Sequence, residues 1–110
     1  MLNDNLVYIK KSPIHGWGLF SRRTFNTHDI ITQSPGIVIG IGSYYPPEMC
    51  PYTFPFPSGG VIFCLGHPSL INSSSDPNSV FDIDEVNKIV TIKAVRDIDV
   101  DEEITLRYMG

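Results

Sequence analysis

Apolar residues along this chain fall into short runs rich in β-branched and aromatic side chains, most of them bounded by glycine or proline. Leu6-Val7-Tyr8-Ile9, Ile37-Val38-Ile39-Gly40-Ile41 and Val61-Ile62-Phe63-Cys64 read as strands. Nearer the C-terminus, residues 79–84 and 88–94 flank Glu85-Val86-Asn87 as the two arms of a hairpin. In the first arm Phe81 and Ile83 alternate with Val80, Asp82 and Asp84, so one face is wet at its far end. In the second, Ile89, Thr91 and Lys93 oppose Val90, Ile92 and Ala94. A last strand over 103–108 puts Ile104, Leu106 and Tyr108 on one side, against Thr105 and Arg107, and predicts an inward-pointing Tyr108 phenol.

Helix signals are poor, because nine glycines and nine prolines in 110 residues interrupt the chain too often. Only 68–71 suggests a short helical turn. The stretch 44–57 holds Pro46, Pro47, Pro51, Pro55 and Pro57, which argues against any regular element. It also holds Tyr44, Tyr45, Tyr52, Phe54 and Phe56, so it should cover a core or line a pocket. The pattern predicts one mainly β domain of many short strands, with function carried on its loops.

Charge and composition narrow the classes. Eight basic against twelve acidic side chains give a net charge of −4, with no basic stripe to follow a phosphate backbone, so no nucleic-acid partner is expected. No apolar run approaches the roughly 20 residues of a bilayer span, and Met1 to Asn5 lacks a signal pattern, so an intracellular, soluble protein without a membrane partner is expected. Asn72-Ser73-Ser74 formally matches a glycosylation sequon, but without a secretory signal it is read otherwise. Cys50 and Cys64 have no second cysteine or histidine at zinc-ligand spacing, so no metal site is expected. Their apolar surroundings predict buried free thiols and leave a disulfide open.

Three segments carry candidate chemistry. In His15-Gly16-Trp17-Gly18-Leu19-Phe20 two glycines around an aromatic let a backbone pass close to a ligand, although G-x-G also makes ordinary turns. No third glycine and no clear following helix make it a dinucleotide fingerprint. The run from Leu65 to Asn78 ends in Asn72-Ser73-Ser74-Ser75-Asp76-Pro77-Asn78, which alone reads as a turn capped by its own Asn and Ser side chains. Asp99 to Tyr108 is an acidic turn leading into the last strand. His15, His28 and His67 pair with no evident nucleophile and acid, so nothing supports a hydrolase.

Together and in this order, the segments resemble the SET family of protein lysine methyltransferases. Lys10-Lys11-Ser12-Pro13 running into Gly16-Trp17-Gly18 is similar to that family's opening, Asn72 to Asn78 to its Asn-His-Ser-x-x-Pro-Asn motif, and Glu102 to Tyr108 to the segment that delivers its catalytic tyrosine. The resemblance, which runs from Val7 to Tyr108, implies a β-clip of small curved sheets with a threaded C-terminal segment. It implies a single SET domain over 1–110 without pre-SET or post-SET regions, as in the small viral and bacterial members. By the same resemblance His15, Gly16, Trp17, Gly18, Asn72 and Ser73 bind S-adenosylmethionine, Tyr108 is catalytic, and Tyr52 forms a wall of the lysine channel. The implied partner is a protein or peptide lysine substrate, with a dimer partner or the substrate completing the site. Two positions depart from the pattern: Ser73 stands for the usual histidine, and Asp101 for the usual glycine, which would reshape that turn. A catalytically silent SET-like module that binds a peptide or partner is the competing function, and an unrelated β-clip protein the third.

Overall fold

The computed structural model describes residues 4–107, and the protein is mainly β. Among the described residues nine strands form three sheets: β1 (Val7–Lys11) and β2 (Trp17–Ser21) make a hairpin, and β3 (Ile30–Ile39), β4 (Thr53–Pro55), β5 (Val61–Cys64), β7 (Ser79–Asp84) and β8 (Ile89–Ala94) make a five-stranded antiparallel sheet. In that sheet the order is β4-β5-β3-β8-β7. The third sheet is a two-residue parallel pair between β6 (Asn72–Ser73) and β9 (Thr105–Leu106). Among the described residues helix is confined to three 3-10 turns at Asp4–Leu6, Pro47–Tyr52 and His67–Leu70. None of them is long and apolar enough to cross a membrane.

The β7–β8 hairpin follows the alternation in its sequence, with Val80, Asp82 and Asp84 exposed while Val90, Ile92 and Ala94 are buried. Strand β3 is longer than its apolar run implies, because residues 30–35 pair with β8 before residues 36–39 pair with β5. The change of partner occurs at Pro35-Gly36. Pro35 has no N–H to give, but its carbonyl accepts from Leu65 N, while Gly36 N donates to the Lys88 carbonyl, both at 3.0 Å. A side chain at Gly36 would lie 2.6 Å from Ile62 Cγ1 and 2.8 Å from the Phe63 carbonyl, so only glycine lets β3 and β5 approach at this bend.

The proline-rich stretch is more regular than its composition implies. Pro47–Tyr52 forms a 3-10 turn with proline at its start, and Thr53–Pro55 is an edge strand that leaves Pro55 at its end. It covers the core with Phe54 and Phe56, both buried, and Phe54 packs on Phe81 with ring centroids 5.0 Å apart. The core around them includes Leu19, Phe25, Ile31, Ile62, Val90, Ile92, Ile98, Ile104 and Leu106.

The C-terminal segment threads between two other parts of the chain. On one side it bonds to β2: Asp101 N to the Ser21 carbonyl at 2.8 Å, Ser21 N to the Glu102 carbonyl at 3.0 Å, and Ile104 N to the Leu19 carbonyl at 2.8 Å. On the other it forms the parallel pair with β6, whose return connection contains the whole β7–β8 hairpin. Asn78, 1% exposed, locks this arrangement: its Nδ2 donates to the Glu103 carbonyl (2.8 Å) and Glu102 Oε2 (3.1 Å), and its Oδ1 accepts from Thr105 N (2.9 Å). Within the segment Ile104, Thr105 and Leu106 are all buried, so the two-sided alternation read over 103–108 does not hold there; the segment is covered on both faces. Asp101 adopts φ +65°, which glycine would take freely and aspartate tolerates, so the turn keeps a left-handed residue. Its carboxylate accepts the Tyr8 hydroxyl proton at 2.8 Å, and this hydrogen bond, aided by partial desolvation, pushes the Tyr8 phenol above its ordinary pKa.

Removing the Asn78 side chain leaves a strand amide and a carbonyl buried without partners, each costing about 1–3 kcal/mol. Asn78→Ala is therefore expected to destabilise the fold by ~2–4 kcal/mol, seen as a lower urea midpoint with an unchanged slope; a shift below about half a kcal/mol would mean the segment is held by packing alone.

Candidate functional site

The tip of the β1–β2 hairpin is built around Ser12 and Gly16. Ser12 N donates to the Gly16 carbonyl at 2.7 Å, and Gly16 takes φ +47° to close the turn. Ser12 Oγ accepts from Ile14 N at 2.9 Å and His15 N at 3.4 Å, the local bonding by which serine stabilises turns. Its own proton goes to Glu103, whose two carboxylate oxygens both lie 2.8 Å away. Trp17 is 58% exposed beside this tip, with Lys11 Nζ 5.8 Å from its ring centre. His15 and Gly16 are exposed as well, whereas Gly18 is buried in β2.

Asn72 brings the second segment to the first. Its Nδ2 lies 3.0 Å from the His15 carbonyl, 3.2 Å from the Trp17 carbonyl and 3.0 Å from Glu103 Oε2. All three partners only accept, so the nitrogen of the amide must face them. Gly18 makes room for this junction, since a Cβ there would stand 2.5 Å from Glu103 Oε2 and 3.0 Å from Ser12 Cβ. Ser73 is exposed and takes part through its backbone in the pairing with Leu106. The three sequence segments therefore meet at one carboxylate.

A cavity of about 540 Å³ has Asn72 in its wall. The proline-rich loop contributes Tyr45, Cys50 and Pro51, the sheet contributes Thr53, Pro55 and Val61, and Ile71, Asn72 and Ser73 complete the lining. Not one of these side chains carries a formal charge at neutral pH. Such a chamber accepts an aliphatic chain and penalises an unpaired charge. Among the described residues no cluster of His, Cys, Asp and Glu has the makings of a metal site.

The family model for the SET domain matches residues 16–109, which include the second and third segments and the first from Gly16 onward. The chain belongs to the SET-domain family. It is 30% identical over 122 aligned positions to a histone-lysine N-methyltransferase, H3 lysine-4 specific, of Aspergillus oryzae, covering 93% of this chain and 9% of that protein. The histone-lysine N-methyltransferase set1 of Dictyostelium discoideum matches at 30% over the same length, with 93% and 8% covered. This chain thus spans less than a tenth of either curated relative. Among solved structures, a Plasmodium falciparum protein assigned as a histone methyltransferase superposes with a TM-score of 0.84 at 27% identity, covering 94% of this chain and 93% of its own.

In this SET domain His15, Gly16, Trp17 and Asn72 lie together, with Gly18 buried beneath them and Ser73 beside Asn72. Tyr52 is 43% exposed, between Pro51 and Thr53, both of which line the cavity. Tyr108 lies outside the described residues. Sequence reasoning misses two residues. Tyr45 lines the cavity, but it is one of five aromatics in the loop and nothing local marks it out. Glu103 holds the junction, but in sequence it is one of four acids in a turn. Arg107 is exposed and donates to the Ser75 carbonyl, away from the junction.

The cysteines differ from the expected pair of buried thiols. Cys64 is buried and Cys50 exposed at the cavity, because the 3-10 turn swings Cys50 away from the sheet; both are free. Burial pushes the Cys64 thiol up, which keeps it in its unreactive protonated form. Mass spectrometry after iodoacetamide treatment of the native protein at neutral pH is expected to find one alkyl group, on Cys50, with Cys64 labelled only after unfolding. Equal labelling of both would mean that the sheet opens around Cys64.

Proposed function

We propose that this SET domain transfers a methyl group from S-adenosylmethionine to a lysine side chain of a protein. The observation that carries the reading is the position of Asn72, which is bonded to the glycine-flanked hairpin tip and also lines an uncharged cavity. The residues suit the donor: its amino-acid part carries an ammonium and a carboxylate, and Asn72 Oδ1, turned away from the three acceptors, accepts no hydrogen bond from any described residue. Next to it Trp17 offers an exposed ring. Asn72, the backbone of Ser73 and the 15–18 turn would hold the donor, which when bound supplies a methyl group made electrophilic by its sulfonium.

The chain's own part is to receive the lysine and prepare it. A lysine amine with a free pKa of ~10.4 must lose its proton before it can act as a nucleophile. A cavity walled by Tyr45, Pro51, Val61 and Ile71 disfavours the ammonium and lowers that pKa. The ring of Tyr45 guides the cationic chain inward by cation–π contact, and Tyr52, next in sequence to the lining residues Pro51 and Thr53, would add to it. Tyr108, at the position matching the family's catalytic tyrosine, orients the neutral amine through its hydroxyl, and positioning then supplies most of the acceleration. The names of the relatives suggest histone lysines as the substrate class.

A second reading, a silent SET-like binding module, is favoured by one feature: Ser73 stands at the usual histidine and its side chain makes no hydrogen bond to a described residue. Calorimetric titration separates the two. Binding of S-adenosylmethionine and its demethylated product at one site is expected, and absence of both would leave the binding module. Tyr108→Phe should then lower kcat by roughly tenfold or more with donor affinity retained; an unchanged rate would remove Tyr108 from catalysis. Ser73→His should tighten donor binding if the ring packs on the ligand, and leave it unchanged if only the backbone contributes.

A further inference from the structure

We propose that Glu103 is a positioning residue of the donor site, sharing with the His15 and Trp17 carbonyls the hold on the Asn72 amide and closing the hairpin tip against it. The inference rests on the donor reading above, but its geometry stands apart from it. Every hydrogen bond at the junction has a forced direction. Ser12 Oγ already accepts from Ile14 N and His15 N, so its proton is given to Glu103. The carboxylate can only accept, so it takes Nδ2 of Asn72 and cannot face Oδ1. The same Nδ2 reaches the His15 and Trp17 carbonyls, which fixes the carbonyl side of the amide toward the ligand.

Glu103 is itself held from behind, where its backbone carbonyl accepts from the buried Asn78. Its backbone is therefore anchored in the threaded segment while its side chain spans to both halves of the site. Gly18 has no side chain to block that span. An amide in place of the carboxylate changes the logic more than the shape. A glutamine side chain at this position would present one acceptor and one donor to Ser12 Oγ–H and Asn72 Nδ2, both of which donate. The His15 and Trp17 carbonyls would still face Nδ2, so the amide keeps its direction but loses its charged acceptor and is held less firmly.

The test compares wild type with Glu103→Gln by NMR and by donor binding. The Asn72 side-chain amide resonances are expected to shift in the variant, and its affinity for S-adenosylmethionine to fall by about tenfold, the equivalent of one charge-assisted hydrogen bond. The KM for the donor should rise while the KM for a lysine peptide holds, a split that general loosening of the fold would not give. Superimposable Asn72 resonances with donor affinity within about twofold of wild type would overturn the assignment. If the variant fails to fold, the wild type still decides: the Asn72 amide protons should be protected from exchange with water, and exchange at the free rate would overturn the proposal. A wild type that binds no donor would instead overturn the functional reading, with the amide comparison still judging Glu103.

Discussion

The segment from Asp101 to Leu106 must lie between β2 and β6, two parts of the chain that otherwise have no ladder in common. A parallel pair of two residues contributes little by itself, and the connection that closes it runs through the whole β7–β8 hairpin. What holds the segment is therefore its backbone bonding to β2 and the burial of Ile104 and Leu106, together with the fully used side chain of Asn78. Asn78 serves an amide and a carbonyl of the segment at once, as only a carboxamide of this size can. The site inherits its order from this arrangement, since Glu103 reaches Ser12 and Asn72 only if its backbone is fixed first.

A carboxylate at such a junction is costly to desolvate unless several donors meet it. Here Ser12 and Asn72 both do, and half-exposure of Glu103 moderates the penalty. Gly18 is the steric condition for the same contact, so its meaning differs from the one its motif suggests. A glycine beside a ligand loop is naturally read as leaving space for the ligand. In this SET domain the space at Gly18 is filled by the protein's own carboxylate, and it is Gly16, with its positive φ, that shapes the exposed turn.

These relations explain which parts of the structure can be read from the sequence. The β7–β8 hairpin has one wet and one dry face, so its period of two is visible, and Pro68 marks the helical turn before Asn72. Strand β2 has no such period, because Gly18, Leu19, Phe20 and Ser21 are all buried, and its sequence reads as a turn. Strand β3 is legible only in its second half, where the Val-Ile run lies; Thr32, Ser34 and Pro35 disguise the first half although Thr32 and Ser34 are buried. Edge strand β4 is hidden by its prolines. Within the site, the three segments and their order are legible locally. The junction is not, because Asn72 meets Trp17 across 55 positions and Glu103 meets Ser12 across 91. Cys50 shows the same limit: apolar neighbours in sequence do not bury a residue that sits on the outside of a turn.

The departure at Ser73 is best weighed by separating scaffold from ligand. The ladder at this position is made by backbone groups, with Ser73 opposite Leu106 and Ser74 N donating to the Leu106 carbonyl at 2.8 Å. The Ser73 side chain is exposed and supports neither the ladder nor the Asn72–Glu103 junction. A smaller side chain here thus leaves the fold and the facing of Asn72 intact, and its cost falls on whatever surface a ligand would have found on the imidazole. The position also borders the uncharged cavity, so the exchange widens the opening beside Asn72 and reduces apolar contact there. Between an intact hydrogen-bonding frame and a reduced contact area, the frame determines whether a ligand is recognised and the area how long it stays. On that division the departure at Ser73 leaves the frame that would face a ligand unchanged.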